Sequence, residues 1–194
     1  MQIKAIILGA DKGIAGTDET PKIFKPICGI PMINVLIKTI EDAGISDIYV
    51  VVNPKVKKQT QDLISHTVLS QPAPLGTAHA VLMARPALQP FNGSVLILFG
   101  DTPLISSTTI KRMIDKQAAG SDIVALGFIP ADSRRYGRLI MGDNGLEKIV
   151  EYKDATDAER TIKLCNSGVM CVNGKYILQL LERSKTIMLR VNIT

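Results

Sequence analysis

The sequence predicts an open α/β sheet whose strands are joined by right-handed helical crossovers and whose ligands sit at the carboxyl ends of the strands. Three observations carry that prediction. IKAIILG at 3–9 is apolar almost throughout and rich in isoleucine, which suits a strand buried on both faces of a parallel sheet. Strand-like and helix-like stretches then alternate over residues 1–129. SVLILFGD at 94–101 is the strongest strand pattern in the chain, and it stops at a glycine and an aspartate.

The elements follow in order. After 3–9 comes a glycine-bearing loop, and then a helix over 32–43 with Ile33, Leu36, Ile37 and Ile40 at helical spacing and Gly44 at its end. DIYVVVN at 47–53 reads as a second buried strand, 55–65 as a polar helix, and TVLSQ at 67–71 as a short third strand. Thr77 begins an apolar helix that reaches about Ala84. The fourth strand, 94–101, is followed by a helix over 106–120 with hydroxyls at its start and glycine at its end. Residues 121–129 make another strand. Beyond them GRLIM (137–141), LEKIVEY (146–152) and NSGVMCVN (166–173) read as shorter strands, with ATDAERTI (155–162) as a polar connection.

Composition narrows the class. With 194 residues, 46% of them hydrophobic and 21% charged, the chain is an ordinary globular protein with room for one well-buried core. A net charge of +5 suits an anionic ligand. Aromatic residues are only 4% and tryptophan is absent, which argues against a base-stacking surface and hence against nucleic-acid binding. Three cysteines without a CxxC pair fit a reduced, cytoplasmic setting, and two isolated histidines do not suggest a zinc site. The N-terminal apolar run is too short for a signal sequence or a membrane span.

The chemistry gathers at strand ends. LGADKGIAGTDETPK at 8–22 has glycines at 9, 13 and 16 with Lys12 and Lys22, so its backbone could approach phosphates closely. It has neither a Walker A GK[ST] nor the GxGxxG spacing, and a loop like this taken alone is more often a plain strand-to-helix turn. Asp101, just past a buried strand, is read as a Mg²⁺ ligand in preference to a turn aspartate. Gln71 carries an amide able to pair with a pyrimidine edge, with Gly76 and Thr77 close by, although a solvated loop glutamine would have the same sequence. His79 reads as a packed helix histidine. Gly137, Glu151 and Asn166 each adjoin a short strand, and acceptors of this kind suit sugar hydroxyls.

In their order along the chain, AIILGADKG…PKIFKPICGIPMI, QPAPLGTAHAV, FGDTPLI, YGRLI, IVEYKDAT and CNSGVM resemble bacterial N-acetylglucosamine-1-phosphate uridyltransferases. These are the nucleotidyltransferase halves of bifunctional enzymes that make UDP-N-acetylglucosamine. The resemblance covers nearly all of residues 3–173. It implies a Rossmann-like nucleotide-diphospho-sugar transferase fold, with a mixed, mostly parallel sheet flanked by helices. It also implies UTP lying across Leu8, Gly9, Ala10 and Asp11, with Gln71, Gly76 and Thr77 around uracil. Asp101 would bind Mg²⁺, Lys22 would contact phosphate at the reacting centre, and Lys12 the leaving pyrophosphate. Phe99, Gly100, Gly137, Glu151 and Asn166 would hold N-acetylglucosamine 1-phosphate. The implied reaction is in-line attack of the sugar-phosphate oxygen on the α-phosphorus of UTP.

Three departures stand against that pattern. The family loop reads like G-x-G-[TS]-R-M, whereas here Asp11 replaces a glycine and Ala15 replaces the arginine. Losing one preorganised charge-stabilising donor typically costs about 10²–10³ in rate. Phe99 stands where tyrosine is frequent, which removes a hydroxyl from the sugar pocket. After LLERSK the chain reads TIMLRVNIT, unlike the family, and neither the later asparagine metal ligand nor the hexapeptide-repeat acetyltransferase domain follows. The expectation is therefore one nucleotidyltransferase domain over 1–183, with a nucleotide half to about 129, a sugar half from 130, and an atypical tail at 184–194. Without the trimerising β-helix it is expected to be a soluble monomer. The expected activity is impaired transfer of UMP to N-acetylglucosamine 1-phosphate. The alternatives are a nucleotide- or UDP-sugar-binding homologue without turnover, or a nucleotidyltransferase for another sugar 1-phosphate.

Overall fold

The computed structural model describes residues 1–10, 20–134 and 136–191, with side chains described up to Arg183. The N-terminal apolar run is a strand, β1 (Ile3–Gly9), in which Ala5, Ile6 and Ile7 are buried on both faces. A 3₁₀ turn at Lys22–Phe24 leads into a small hairpin, β2 (Pro26–Ile27) and β3 (Ile30–Pro31). Helix α1 (Met32–Asp42) buries Ile33, Leu36, Ile37 and Ile40, the four positions its periodicity predicts. Strand β4 (Asp47–Val52) follows. The expected polar helix begins as a 3₁₀ turn because Asn53 caps Pro54–Val56, and it becomes α-helical only over α2 (Lys57–Leu63).

The order continues with β5 (Thr67–Ser70), α3 (Thr77–Leu82), a one-turn helix α4 (Arg85–Leu88) and β6 (Ser94–Phe99), buried from Ser94 to Leu98. Helix α5 (Ser107–Ala118) starts where the Ser106 hydroxyl accepts from the Thr109 N–H at 3.1 Å. The remaining elements are β7 (Ile123–Phe128), β8 (Arg138–Gly142), β9 (Gly145–Val150), α6 (Asp157–Arg160), β10 (Cys165–Asn173) and α7 (Gly174–Val191).

The chain divides into two compact units, one of Met1–Val124 with Cys171–Thr194, the other of Ala125–Met170. In the first, β5, β4, β1 and β6 lie side by side in that order and all parallel. Helix α1 packs beside α5, while α3 and α4 pack beside α7. The second unit is antiparallel where β8 meets β9 and β10. The strand and helix alternation predicts the α/β class, and the mixed, mostly parallel pairing is what the family resemblance implies.

ATDAERTI, expected as a plain connection, contains α6. The reason is legible afterwards: Thr156 and Glu159 form a capping box, each side chain bonding the other's backbone N–H. Lys148 of β9 pairs with the same carboxylate at 2.8 Å. The Lys148 ammonium first, then the Thr156 N–H and hydroxyl, hold the Glu159 carboxyl down at about 2. A folded value below the unfolded 4.5 means that this stabilisation is complete above 4.5 and is lost as pH falls through about 2. An NMR titration of the Glu159 carboxyl should therefore show a midpoint near 2, with α6 amide shifts following it and not moving at pH 4–5.

Candidate functional site

From β1 the chain steps outward to β4 and β5, then returns to the other side of β1 as β6. Strand order reverses between β1 and β6, which is where open α/β sheets leave a crevice at their carboxyl ends. A cleft of about 470 Å³ opens there. The end of β1 contributes Leu8, Gly9 and Ala10, the end of β5 Gln71, and the end of β6 Phe99 and Asp101. Gly76 and Thr77, at the start of α3, and Lys22 also line it. Residues read from separate stretches of sequence thus share one cavity. Asp11 and Lys12, with Ala15 in the same loop, lie outside the described residues.

Gly9 and Gly100 have a packing role that the sequence reading did not assign. A Cβ on Gly9 would lie 3.1 Å from Cγ2 of Ile23, and one on Gly100 only 2.7 Å from the same atom. Ile23 is buried in the notch between the ends of β1 and β6; a side chain on Gly100 would displace it, and one on Gly9 would crowd it. The 3₁₀ turn is closed by the Phe24 N–H to the Pro21 carbonyl at 2.9 Å and the Lys25 N–H to the Lys22 carbonyl at 3.0 Å. Anchored in this way, Lys22 places Nζ 3.6 Å from Oδ2 of Asp101. Both side chains remain open to the cleft, 54% and 41% exposed. An ion pair this exposed adds little stability, so its consequence is positional.

Gln71 is not a solvated loop residue. It is 6% exposed, and its backbone N–H extends the ladder to the Val52 carbonyl at 2.8 Å. Its Nε2 donates to the Gly76 carbonyl at 3.1 Å and lies 3.0 Å from Nδ1 of His79. Gly76 has φ +92°, a left-handed conformation that a glycine adopts without strain. His79, read as a packed helix histidine, is half-buried and in addition supports Gln71.

In the second unit Gly137, Glu151 and Asn166 converge. The Asn166 N–H donates to the Gly137 carbonyl at 2.8 Å, and a Cβ on Gly137 would lie 3.2 Å from Oε1 of Glu151. Arg138 organises this corner and was missed by the sequence reading. It is 1% exposed, and its guanidinium donates to the carbonyls of Ser133, Tyr136 and Arg160 and to Sγ of Cys165. Its plane also approaches the Tyr152 ring, 5.4 Å from the centroid. The one available signal was a charged residue opening an otherwise apolar strand.

Among the described residues no three His, Cys, Asp or Glu side chains cluster as a metal cage, and no helix is long and apolar enough to cross a membrane. A single carboxylate facing a cleft still suits Mg²⁺, which keeps several waters and takes the rest of its oxygens from substrate phosphates. Asp101 meets that requirement.

Comparison with known proteins gives three findings. The family model described as the MobA-like NTP transferase domain matches residues 5–164. The chain is 45% identical over 179 residues to the bifunctional protein GlmU of Rhodospirillum rubrum, covering 91% of this chain and 40% of that protein. It is 43% identical over 183 residues to GlmU of Bartonella bacilliformis, covering 92% of this chain and 41% of the relative. The chain therefore spans about two fifths of the length of these curated relatives. A solved Bacillus anthracis protein assigned as a glucose-1-phosphate thymidylyltransferase superposes with a TM-score of 0.73 at 17% identity, over 90% of this chain and 73% of that one.

Proposed function

The chain belongs to the MobA-like NTP transferase domain family, and from that premise we propose that it transfers UMP from UTP to N-acetylglucosamine 1-phosphate. The observation that carries this reading is the cleft between β1 and β6, where Gln71, Lys22 and Asp101 face one cavity. The choice of nucleotide and sugar comes from the resemblance of the chain's motifs to N-acetylglucosamine-1-phosphate uridyltransferases.

In the proposed reaction an oxygen of the sugar phosphate attacks the α-phosphorus of UTP. The bond from that phosphorus to the bridging oxygen breaks, and pyrophosphate leaves with the bond's electrons. The chain contributes binding, orientation and charge, with no covalent intermediate. Leu8, Gly9 and Ala10 let the nucleotide lie close to the backbone, Gln71 reads the base, and Lys22 neutralises the α-phosphate. Gly137, Glu151 and Asn166 hold the sugar. Mg²⁺ held by Asp101 would supply further charge neutralisation between phosphates. Asp11 and Ala15 place the expected rate below that of a chain with glycine and arginine there. A cytoplasmic setting goes with these substrates.

Pyrophosphate release from UTP, N-acetylglucosamine 1-phosphate and Mg²⁺ tests the proposal. Turnover is expected with the wild type and should fall by about 10²–10³ in Asp101→Ala, at unchanged melting temperature. UTP binding without release would support the second reading, a homologue that binds and does not turn over, which the changes at Asp11 and Ala15 favour. Neither binding nor release overturns both.

A further inference from the structure

We propose that His79 is a specificity-positioning residue: from behind the cleft it fixes the Gln71 amide so that only the carbonyl oxygen faces the base, which selects a pyrimidine carrying N3–H over cytosine. The inference rests on the nucleotide reading above and adds to it a residue that does not line the cleft.

The argument begins at the Gly76 carbonyl. A backbone carbonyl only accepts, so the end of Gln71 lying 3.1 Å from it must be the amide nitrogen. The same nitrogen lies 3.0 Å from Nδ1 of His79. An amide nitrogen also only donates, so Nδ1 must be the bare nitrogen of the ring and Nε2 must carry the proton. Both hydrogens of the Gln71 amide nitrogen are then spent inside the protein. What Gln71 retains for a ligand is Oε1, an acceptor.

The two partners have different parts in this. The Gly76 bond alone sets which way the amide faces, but one bond to a loop carbonyl leaves the second hydrogen free to pair with a ligand or with water. The His79 bond removes that freedom. It comes from the third residue of α3, whose neighbours Ala80, Val81 and Leu82 are buried, so the acceptor is carried on a packed element. The amide is therefore held at both hydrogens before any ligand arrives.

A lone acceptor discriminates by polarity. Uracil and thymine present N3–H, a donor, and pair with Oε1. Cytosine presents a lone pair at N3, which meets the oxygen's lone pair. If the amide could turn over, its NH₂ would face cytosine N3 and the discrimination would vanish. A site that must pair with one hydrogen of its ligand rejects an analogue lacking it, because a buried polar group is left unmatched.

Calorimetric titration of the chain with UTP and CTP, in wild type and His79 variants, tests this. Wild type should prefer UTP. His79→Leu, which packs but cannot accept, should lower the UTP/CTP affinity ratio by about 10–100-fold. His79→Asn, whose Oδ1 falls near the place of Nδ1, should keep the ratio within a few-fold of wild type. A role in packing alone would weaken both nucleotides equally, and an unmoved ratio in His79→Leu overturns the proposal while leaving the nucleotide reading intact. A wild type that binds neither nucleotide overturns the nucleotide reading and the proposal with it. ¹⁵N spectra of the wild type supply a check that needs no variant: Nδ1 must show the shift of an unprotonated imidazole nitrogen, and a proton found there also overturns the proposal.

Discussion

Lys22→Ala is expected to lower turnover by about 10²–10³-fold and to leave the melting temperature nearly unchanged. The Lys22 side chain is 54% exposed, and its pair with Asp101 spans 3.6 Å at a solvent-facing cleft, so its removal costs the fold little. Its cost falls on the transition state, where negative charge spreads over the α-phosphate and the departing oxygen. A cation held by a rigid turn is already in place when that charge develops. Ile23, seated against Gly9 and Gly100, holds the turn that carries Lys22 at the mouth of the cleft. Pyrophosphate-release kinetics with a parallel thermal melt decide the matter. Unchanged kinetics, or a rate loss matched by a large loss of melting temperature, would remove Lys22 from the proposed chemistry.

Arg138→Leu is expected to destabilise the second unit by about 3–5 kcal/mol, read from the urea midpoint. Leucine fills much of the volume but donates nothing. The carbonyls of Tyr136 and Arg160 would lose a donor, the Ser133 carbonyl would keep only the Tyr136 N–H, and an acceptor left unpaired costs about 1–3 kcal/mol. Arg138→Lys should recover little, because a point-like ammonium cannot reach three carbonyls and the Cys165 sulfur that a planar fork spans. The same change should raise KM for the sugar phosphate more than for UTP. Arg138 directly follows Gly137 in the chain, and its ladder partner Cys165 precedes Asn166, so both positions proposed to hold the sugar adjoin it. A midpoint within about 0.5 kcal/mol of wild type would show that water or neighbouring groups take over the carbonyls.

How much of this was legible depends on the range of the signal. The strands read at 3–9 and 94–101 were plain, because a nearly continuous, β-branched apolar run suits a sheet buried on both faces. Helix α1 was plain for the same local reason. Asp101 and Gln71 could be named as candidates because each ends a recognisable strand. The role of Gly9 and Gly100 was not legible: in sequence each is a glycine after a strand, and only their shared neighbour Ile23 shows what a side chain there would crowd or displace. Helix α6 was overlooked although its Thr156–Glu159 capping box was present in the sequence, since a polar tract gives no hydrophobic period.

By itself the sequence determined the alternation of buried strands and helices and the kinds of side chain at the strand ends. Both follow from apolar patterning over a few successive residues, which acts locally. The tertiary structure alone decided the facing of Lys22 toward Asp101, the burial of Arg138 and the direction of the Gln71 amide. Those depend on which polar atoms arrive from distant segments, and a hydrogen bond takes its sense from its partner: the Gly76 carbonyl and the His79 ring nitrogen orient Gln71 in a way its own residue type leaves open.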